Sequence, residues 1–220
     1  KTALAITIAN REKALLQDLD YENGYSLYVG IPFCPSICLY CSFGSHPLER
    51  WTKRVDEYLD ALCKELTFIR EEMGERKLTT VYIGGGTPTT LEPEQLRRLL
   101  SHIQTTFDFT WVKEYTVEAG RPDSITREKL QVMKEFPVTR ISVNPQTMNQ
   151  KTLDVIGRKH TVEDTVNIFH MARELGFDNI NMDLIIGLPG EGKEEVAHTL
   201  QEVENLHPDS LTIHSLALKR

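Results

Sequence analysis

The chain has 220 residues, of which 40% are hydrophobic, and its formal net charge is −7. This hydrophobic share supports a sizeable core and excludes disordered and fibrous proteins, while the acidic balance argues against nucleic-acid binding as the main task. No stretch approaches the roughly 18 apolar residues of a membrane span. Because the chain starts without Met, we expect an excised segment of a longer protein, located in the cytosol, where thiols stay reduced.

Short β-rich runs alternate along the chain with longer segments of helical period. Six of these runs are predicted strands, at residues 25–33, 79–84, 114–119, 138–143, 179–187 and 210–216. Strict alternation of strands and helices predicts parallel strands with right-handed crossovers. Without a fingerprint for a doubly wound dinucleotide fold, the pattern favours a barrel or an incomplete barrel.

Apolar stripes with a step of three or four residues predict five helices between the strands. The first covers about 20 residues from Val55, and the second begins near Pro93, where a missing N–H costs little. A capping box of Thr161 and Asp164 predicts the start of the fourth helix, which Gly176 would close.

Unusual motifs follow or end five of the six predicted strands. In chain order they are the cysteines at 34–41, the glycine run at 84–87, Glu118, the pair Asn144 and Gln146, and Asp183. Because active sites of parallel α/β folds lie at the carboxyl ends of the strands, we expect these motifs to meet at one end of the barrel.

Three of the four cysteines, Cys34, Cys38 and Cys41, fall within eight residues. Clustered thiols in a reduced compartment predict a metal site. Three thiolates on a four-iron cluster leave one iron without a protein ligand, which is a catalytic arrangement. The other interpretation is a zinc knuckle completed by His46. Cys63 lies in the apolar stripe of the first helix and is interpreted as a small core residue.

Each of the isolated polar residues can be interpreted as a structural or surface residue as well as a functional one. Glu118 is also compatible with a solvated strand end, and Gln146 and Arg158 with a loop amide and a helix-face charge. Asp183 favours a ligand role because it interrupts an apolar strand, where a carboxylate needs partners. His214, on the last predicted strand, is compatible with a position facing the barrel interior, but we expect a packed or surface residue.

The C-x3-C-x2-C spacing, with Tyr40 before the last cysteine, resembles the signature of the radical S-adenosylmethionine (SAM) superfamily. The segment 84–89, Gly-Gly-Gly-Thr-Pro-Thr, matches the superfamily segment that meets the methionine amino group. Together with the segments 31–34, 117–118, 140–146 and 183–189, these motifs resemble the oxygen-independent coproporphyrinogen III oxidase family, in its HemZ-type branch of coproporphyrinogen dehydrogenases.

The resemblance implies a partial (β/α)6 radical SAM barrel in which Cys34, Cys38 and Cys41 hold a [4Fe–4S] cluster. The residues that match the family's SAM contacts are Tyr28, Tyr40, Gly85, Gly86, Thr87, Glu118, Gln146, Arg158, Asp183 and Ala217. It further implies reductive cleavage of SAM to a 5′-deoxyadenosyl radical, which in decarboxylating members converts coproporphyrinogen III to protoporphyrinogen IX. The implied partners are a tetrapyrrole substrate and an electron donor such as flavodoxin or ferredoxin, with no nucleic acid or membrane.

Two positions depart from the decarboxylating members, which carry Cys where this chain has Phe43 and His where it has Gly30. A haem chaperone on the same core and a zinc-stabilised interaction module therefore stay open as alternatives. We expect an N-terminal extension at 1–24 and a core domain at 25–220, with the family's carboxyl-terminal domain following residue 220.

Overall fold

The computed structural model describes residues 2–17, 23–44 and 46–216. Its main feature is a six-stranded sheet in the order β1-β4-β5-β6-β7-β8, in which every neighbouring pair is parallel. The strands are β1 Gly24–Ile31, β4 Lys77–Gly85, β5 Glu114–Gly120, β6 Arg140–Val143, β7 Ile180–Ile186 and β8 Ser210–Ser215. The order follows the chain, so the sheet is an incomplete barrel with β1 and β8 at its two edges.

Helix α1, Thr2–Gln17, precedes the first strand, and its described side chains are exposed. The other helices follow the strands, and the longer ones cover one face of the sheet. They are α2 Leu48–Trp51, α3 Val55–Met73, α4 Pro93–Thr106, α5 Arg127–Lys134, α6 Gln150–Val155, α7 Val162–Glu174 and α8 Lys193–Leu206. Two short strands, β2 Phe33–Cys34 and β3 His46–Pro47, pair with each other beside the main sheet. Within the described ranges, no helix has the length and apolar character needed to cross a bilayer.

The two faces of the sheet differ in chemistry because side chains alternate along each strand. On β4, Val81 and Ile83 are buried in the core with Leu59 of α3 and Leu99 of α4. Residues of the opposite parity form the concave face, which carries tyrosine, carboxylate, amide and guanidinium groups; they include Tyr82, Thr116, Glu118, Arg140, Ser142, Asn181 and Asp183. On this face Thr116, Ser142 and Asn181 are buried, whereas Glu118 and Asp183 line a cavity that leaves space for a ligand.

The predicted architecture is confirmed in its strands, its order and its main helices. The first strand was predicted two residues too long at its end: β1 stops at Ile31 because Pro32 has no N–H with which to continue the ladder, and Phe33 belongs to the separate strand β2. Helix α3 begins at Val55 as predicted, and the chain segment after α7 turns at Gly176, whose φ is +84°. Helices α1, α2 and α6 are not predicted by the sequence pattern, and α2 and α6 are too short to show a full apolar stripe.

The capping box of α7 provides a test of local stability. Thr161 Oγ1 accepts a hydrogen bond from Asp164 N at 3.0 Å, and Asp164 Oδ2 accepts one from Thr161 N at 2.7 Å. The substitution Thr161→Ala should lower the free energy of unfolding by about 0.5–2 kcal/mol, measured by urea denaturation. Gln201→Ala, on the exposed side of α8, is the control and should change it by less than about 0.5 kcal/mol. Equal stability of the two variants would contradict the role of the cap.

Candidate active site

The loop that carries the cysteines lies directly against the glycine loop that follows β4. The strand register places Ile31 opposite Gly85, and Gly86 N donates a 2.7 Å hydrogen bond to Ile31 O. A Cβ atom on Gly86 would lie 2.7 Å from Phe33 O and 2.9 Å from Cys34 Sγ, and one on Gly85 would lie 2.9 Å from the backbone of Ile31. Only glycine permits this approach, because any side chain would separate the two loops.

The three clustered cysteines line one cavity of about 260 Å³. Cys34 and Cys38 are buried and Cys41 is half-buried. Thr87 Oγ1 lies 3.7 Å from Cys34 Sγ; burial raises the pKa of this thiol, and the Thr87 hydroxyl opposes that rise. In the part of the chain that the structure describes, no three His, Cys, Asp or Glu side chains converge closely enough to hold a single metal ion.

Two carboxylates, from strands β5 and β7 on either side of β6, stand on the opposite wall of this cavity. Glu118, near the end of β5, accepts a 3.2 Å hydrogen bond from Asn144 Nδ2, while Asp183 of β7 accepts one from Asn181 Nδ2 at 2.6 Å. Burial, reinforced by the negative charge of Asp183, raises the pKa of Glu118 to about 7. The wall therefore presents one carboxyl group that changes charge near neutral pH.

The segment after β6 holds polar groups whose bonding capacity is not used within the protein. Gln146 adopts a left-handed φ of +70°, and its N–H donates to Asp183 O at 3.0 Å. Such a conformation is uncommon for a residue other than glycine, and it marks sites where the surroundings impose it. The buried atoms Gln146 Oε1, Asn144 Oδ1 and Arg158 Nε have no protein partner.

These features fit an iron–sulfur cluster and SAM. Three thiols on one loop are soft ligands of the kind that hold iron–sulfur clusters. The glycine loop presents backbone to the same cavity without intervening side chains, and the carboxylates and orphan amide oxygens on its far wall suit the amino and hydroxyl groups of a nucleoside–amino acid. Each unpartnered polar atom costs about 1–3 kcal/mol when buried, a cost that a polar ligand removes.

The cavity brings together most of the residues that the sequence predicted as cofactor contacts. Its lining includes Cys34, Cys38, Cys41, Tyr40, Gly85, Gly86, Thr87, Glu118, Gln146, Arg158 and Asp183. Tyr28 does not line it: this ring is 63% exposed, stacks on Tyr82 at 5.9 Å between centroids, and lines an adjoining cavity. Ala217 lies outside the described residues.

Several lining residues were not among the predicted cofactor contacts, and three of them carry a guanidinium, an amide or an imidazole group. Arg121 follows β5 and reaches the cysteine loop, Asn144 bonds Glu118, and His214 of β8 lines both cavities from an exposed position. For His214, the surface expectation is confirmed, and the residue also lines the cavities. Asn144 was already among the motifs expected at the strand ends, whereas Arg121 lies two residues beyond the predicted strand 114–119 and was not singled out.

The two positions that depart from the decarboxylating pattern also lie at these cavities. Phe43 is 78% exposed and lines both of them, while Gly30 lies beneath the Tyr28 ring in the adjoining one. An exposed aromatic side chain at a cavity mouth offers apolar contact area to a ligand.

The fold and the site define the class of protein, and comparison with known families agrees. The model of the radical SAM superfamily matches residues 28–203, so this chain belongs to that superfamily of enzymes. The cofactors of the superfamily are a [4Fe–4S] cluster and SAM. This finding favours the cluster over the zinc site.

Within the superfamily, the chain is similar to proteins of tetrapyrrole metabolism. It is 46% identical to the oxygen-independent coproporphyrinogen-III oxidase-like protein HemZ of Bacillus subtilis, over 100% of this chain and 45% of that protein. It is 38% identical to the heme chaperone HemW of Bacillus subtilis, over 88% and 51%. The solved structure of coproporphyrinogen III oxidase (HemN) from Escherichia coli matches with a TM-score of 0.81 and 32% identity, over 93% and 47%. The chain thus spans about half the length of these relatives.

The contact between the two loops predicts the effect of a single methyl group. Gly86→Ala should push the cysteine loop away, because its Cβ would meet Phe33 O and Cys34 Sγ, and we expect iron and sulfide after anaerobic reconstitution to fall by more than half. Gly44→Ala is the matched control, since a Cβ there meets nothing within 4 Å. A reconstituted Gly86→Ala protein with wild-type iron content would contradict the close approach.

The raised pKa of Glu118 predicts a pH-dependent stability of the protein without cofactors. Below its ordinary value of 4.5 the carboxyl is protonated in both states; between 4.5 and about 7 only the unfolded state loses the proton, so stability falls as the pH rises. Glu118→Gln should therefore match the wild type near pH 4 and exceed it by roughly 1–3 kcal/mol at pH 8. Urea unfolding at several pH values measures this, and a difference independent of pH would refute the assignment.

Proposed function

We propose that this chain is the catalytic core of a radical SAM oxidoreductase that acts on coproporphyrinogen III in oxygen-independent haem biosynthesis. The observation that carries the proposal is the meeting of three clustered thiols, a glycine loop and two carboxylates around one cavity. The similarity to coproporphyrinogen oxidase-like proteins supports the choice of substrate.

In this proposal Cys34, Cys38 and Cys41 hold the [4Fe–4S] cluster. When bound, the cluster and SAM together supply a one-electron cleavage of the sulfonium that yields a 5′-deoxyadenosyl radical. The protein's part is to bind, orient and shield. Burial of Cys34 and Cys38 limits access of water and oxygen to the thiol side of the cavity.

The remaining contacts divide between the two ends of SAM. Gly85, Gly86 and Thr87 bring backbone and hydroxyl groups next to the thiols, where the methionyl end would lie. Glu118, Gln146 and Asp183 lie near the carboxyl ends of their strands and would receive the ribose end of SAM. Tyr40 and Arg158 are joined by a 3.2 Å hydrogen bond and close the cavity from the side of the cysteine loop.

A haem chaperone is the second candidate function, and two observations favour it. Relatives named as heme chaperones share 37–38% identity with this chain, and Phe43 and Gly30 stand where the decarboxylating pattern has Cys and His. The two functions share the cluster and SAM but differ in what happens to the tetrapyrrole.

Product analysis separates the two candidates. The full-length protein is reconstituted anaerobically and supplied with SAM, a low-potential reductant and coproporphyrinogen III. Protoporphyrinogen IX with two equivalents of CO2 supports the oxidase. Stable haem binding without decarboxylation supports the chaperone, and the absence of both cluster and SAM cleavage refutes the whole proposal.

Removal of one thiol tests the ligand set. Cys38→Ala should lose most of the cluster's visible absorbance and all SAM cleavage, since two thiolates hold a four-iron cluster poorly. Cys63→Ala removes a thiol from α3, outside the cavity, and should keep both. Wild-type iron content and SAM cleavage in Cys38→Ala would exclude this ligand set.

Removal of a carboxylate tests the SAM contact separately from the cluster. Asp183→Ala should weaken SAM binding about tenfold or more, as expected for loss of a hydrogen bond to a charged group, while iron and sulfide stay at wild-type levels. Asp178→Ala, in an exposed loop, is the control. Equal SAM affinities of the wild type and Asp183→Ala in an equilibrium binding assay would show that Asp183 has only a structural role.

A further inference from the structure

Arg121 is a buried guanidinium that bridges the end of β5 and the cysteine loop. Its side chain is only 4% exposed. Nη1 donates to Ser36 O at 2.9 Å and to Ser36 Oγ at 2.8 Å, and it lies 3.7 Å from Cys38 Sγ, within hydrogen-bond distance for sulfur. One nitrogen atom therefore touches both the backbone of the cysteine loop and one of its thiols.

The opposite edge of the guanidinium pairs with a carboxylate. Asp123 accepts from Arg121 Nε at 3.0 Å and from Nη2 at 2.8 Å, a bidentate pair that sets the plane of the fork. Asp123 is 17% exposed and lies 3.9 Å from the buried His160. Because Asp123 holds one edge of the buried guanidinium, the remaining N–H groups of Arg121 point at the cysteine loop with little freedom to rotate.

The backbone that aims Arg121 is itself irregular. The register between β5 and β6 shifts between Glu118 and Gly120, and Gly120 has a φ of +71°. A shift of this kind re-aims the side chain that follows it. Pro122 then begins a short 3-10 turn, Pro122–Ser124, which brings Asp123 back onto Arg121.

The second arginine at the cavity has different contacts. Arg158 donates to Asn144 O at 2.5 Å and to the hydroxyl of Tyr40, in the cysteine loop, at 3.2 Å. Arg121 instead contacts Ser36 and the Cys38 thiol of that loop. The two cations at one cavity thus serve different groups.

We propose that Arg121 is a positioning residue for the cluster, which anchors the cysteine loop at Ser36 and raises the cluster's reduction potential through a charge-assisted hydrogen bond to the Cys38 sulfur. Reduction adds one negative charge to the cluster, and a cation next to a ligand sulfur stabilises the reduced form more than the oxidised form. Hydrogen bonds to the ligand sulfurs are an established means of tuning iron–sulfur potentials.

The test is a redox titration of the reconstituted full-length protein without SAM, followed by electron paramagnetic resonance. Arg121→Gln should move the midpoint of the one-electron couple to a more negative potential. Arg121→Lys keeps a charge but cannot bridge Asp123, Ser36 and Cys38 together, so it should give a smaller shift in the same direction. Arg127→Gln removes an exposed arginine paired with Glu174 and should leave the midpoint unchanged.

A second readout uses the protein before reconstitution. Hydrogen exchange of segment 34–41 should be faster in Arg121→Gln than in the wild type, with the rest of the sheet unchanged. If Arg121→Gln holds too little cluster to titrate, the Arg121→Lys midpoint decides. A wild-type midpoint in a cluster-loaded Arg121 variant overturns the inference.

The inference rests on the proposed ligand set, and its failure differs from the failure of that proposal. If the wild-type protein itself forms no four-iron cluster, the proposed function is refuted and there is no midpoint potential to measure. If the wild type forms a cluster whose potential is the same in Arg121→Lys, the function stands and only the role of Arg121 is refuted.

Discussion

The site depends on one close contact between two backbones. The chain leaving β1 and the chain leaving β4 approach within hydrogen-bond distance at Ile31 and Gly86, where a side chain would not fit. Because β1 and β4 are adjacent parallel strands, their carboxyl ends bring both loops to the same edge of the sheet. The thiols of the first loop thereby face the backbone of the second. The carboxyl ends of the remaining strands add polar side chains to the same side of the sheet.

The sequence was informative wherever local chemistry decides structure. The helix start at Thr161 follows from a cap that the sequence locates. The end of β1 at Ile31 follows from the missing donor of Pro32, although the predicted strand ran on to residue 33. The grouping of site residues also followed, since parallel strands align their ends. The alternation of side chains along β1 predicts the face of the sheet on which Tyr28 lies. It does not predict which of the two adjoining cavities Tyr28 lines, because the ring stacks on Tyr82 of the neighbouring strand β4.

Arg121 shows where such reasoning stops. Its contacts with the cysteine loop depend on a register shift between two strands and on a turn that folds Asp123 back, neither of which leaves a periodic trace in the sequence. The same holds for Gln146, an ordinary amide in sequence whose backbone is held in a left-handed conformation by hydrogen bonds to β7. Long-range contacts of this kind cannot be deduced from composition or spacing.

The two edge strands have a consequence for the way a ligand reaches the site. In a closed barrel, strand pairing fixes the circumference, and side chains fill the lumen. Here the described strands leave β1 and β8 unpaired with each other, and Tyr28 of β1 and His214 of β8 line the same cavity. The gap between these two strands therefore gives a ligand a lateral approach that a closed ring of strands would block.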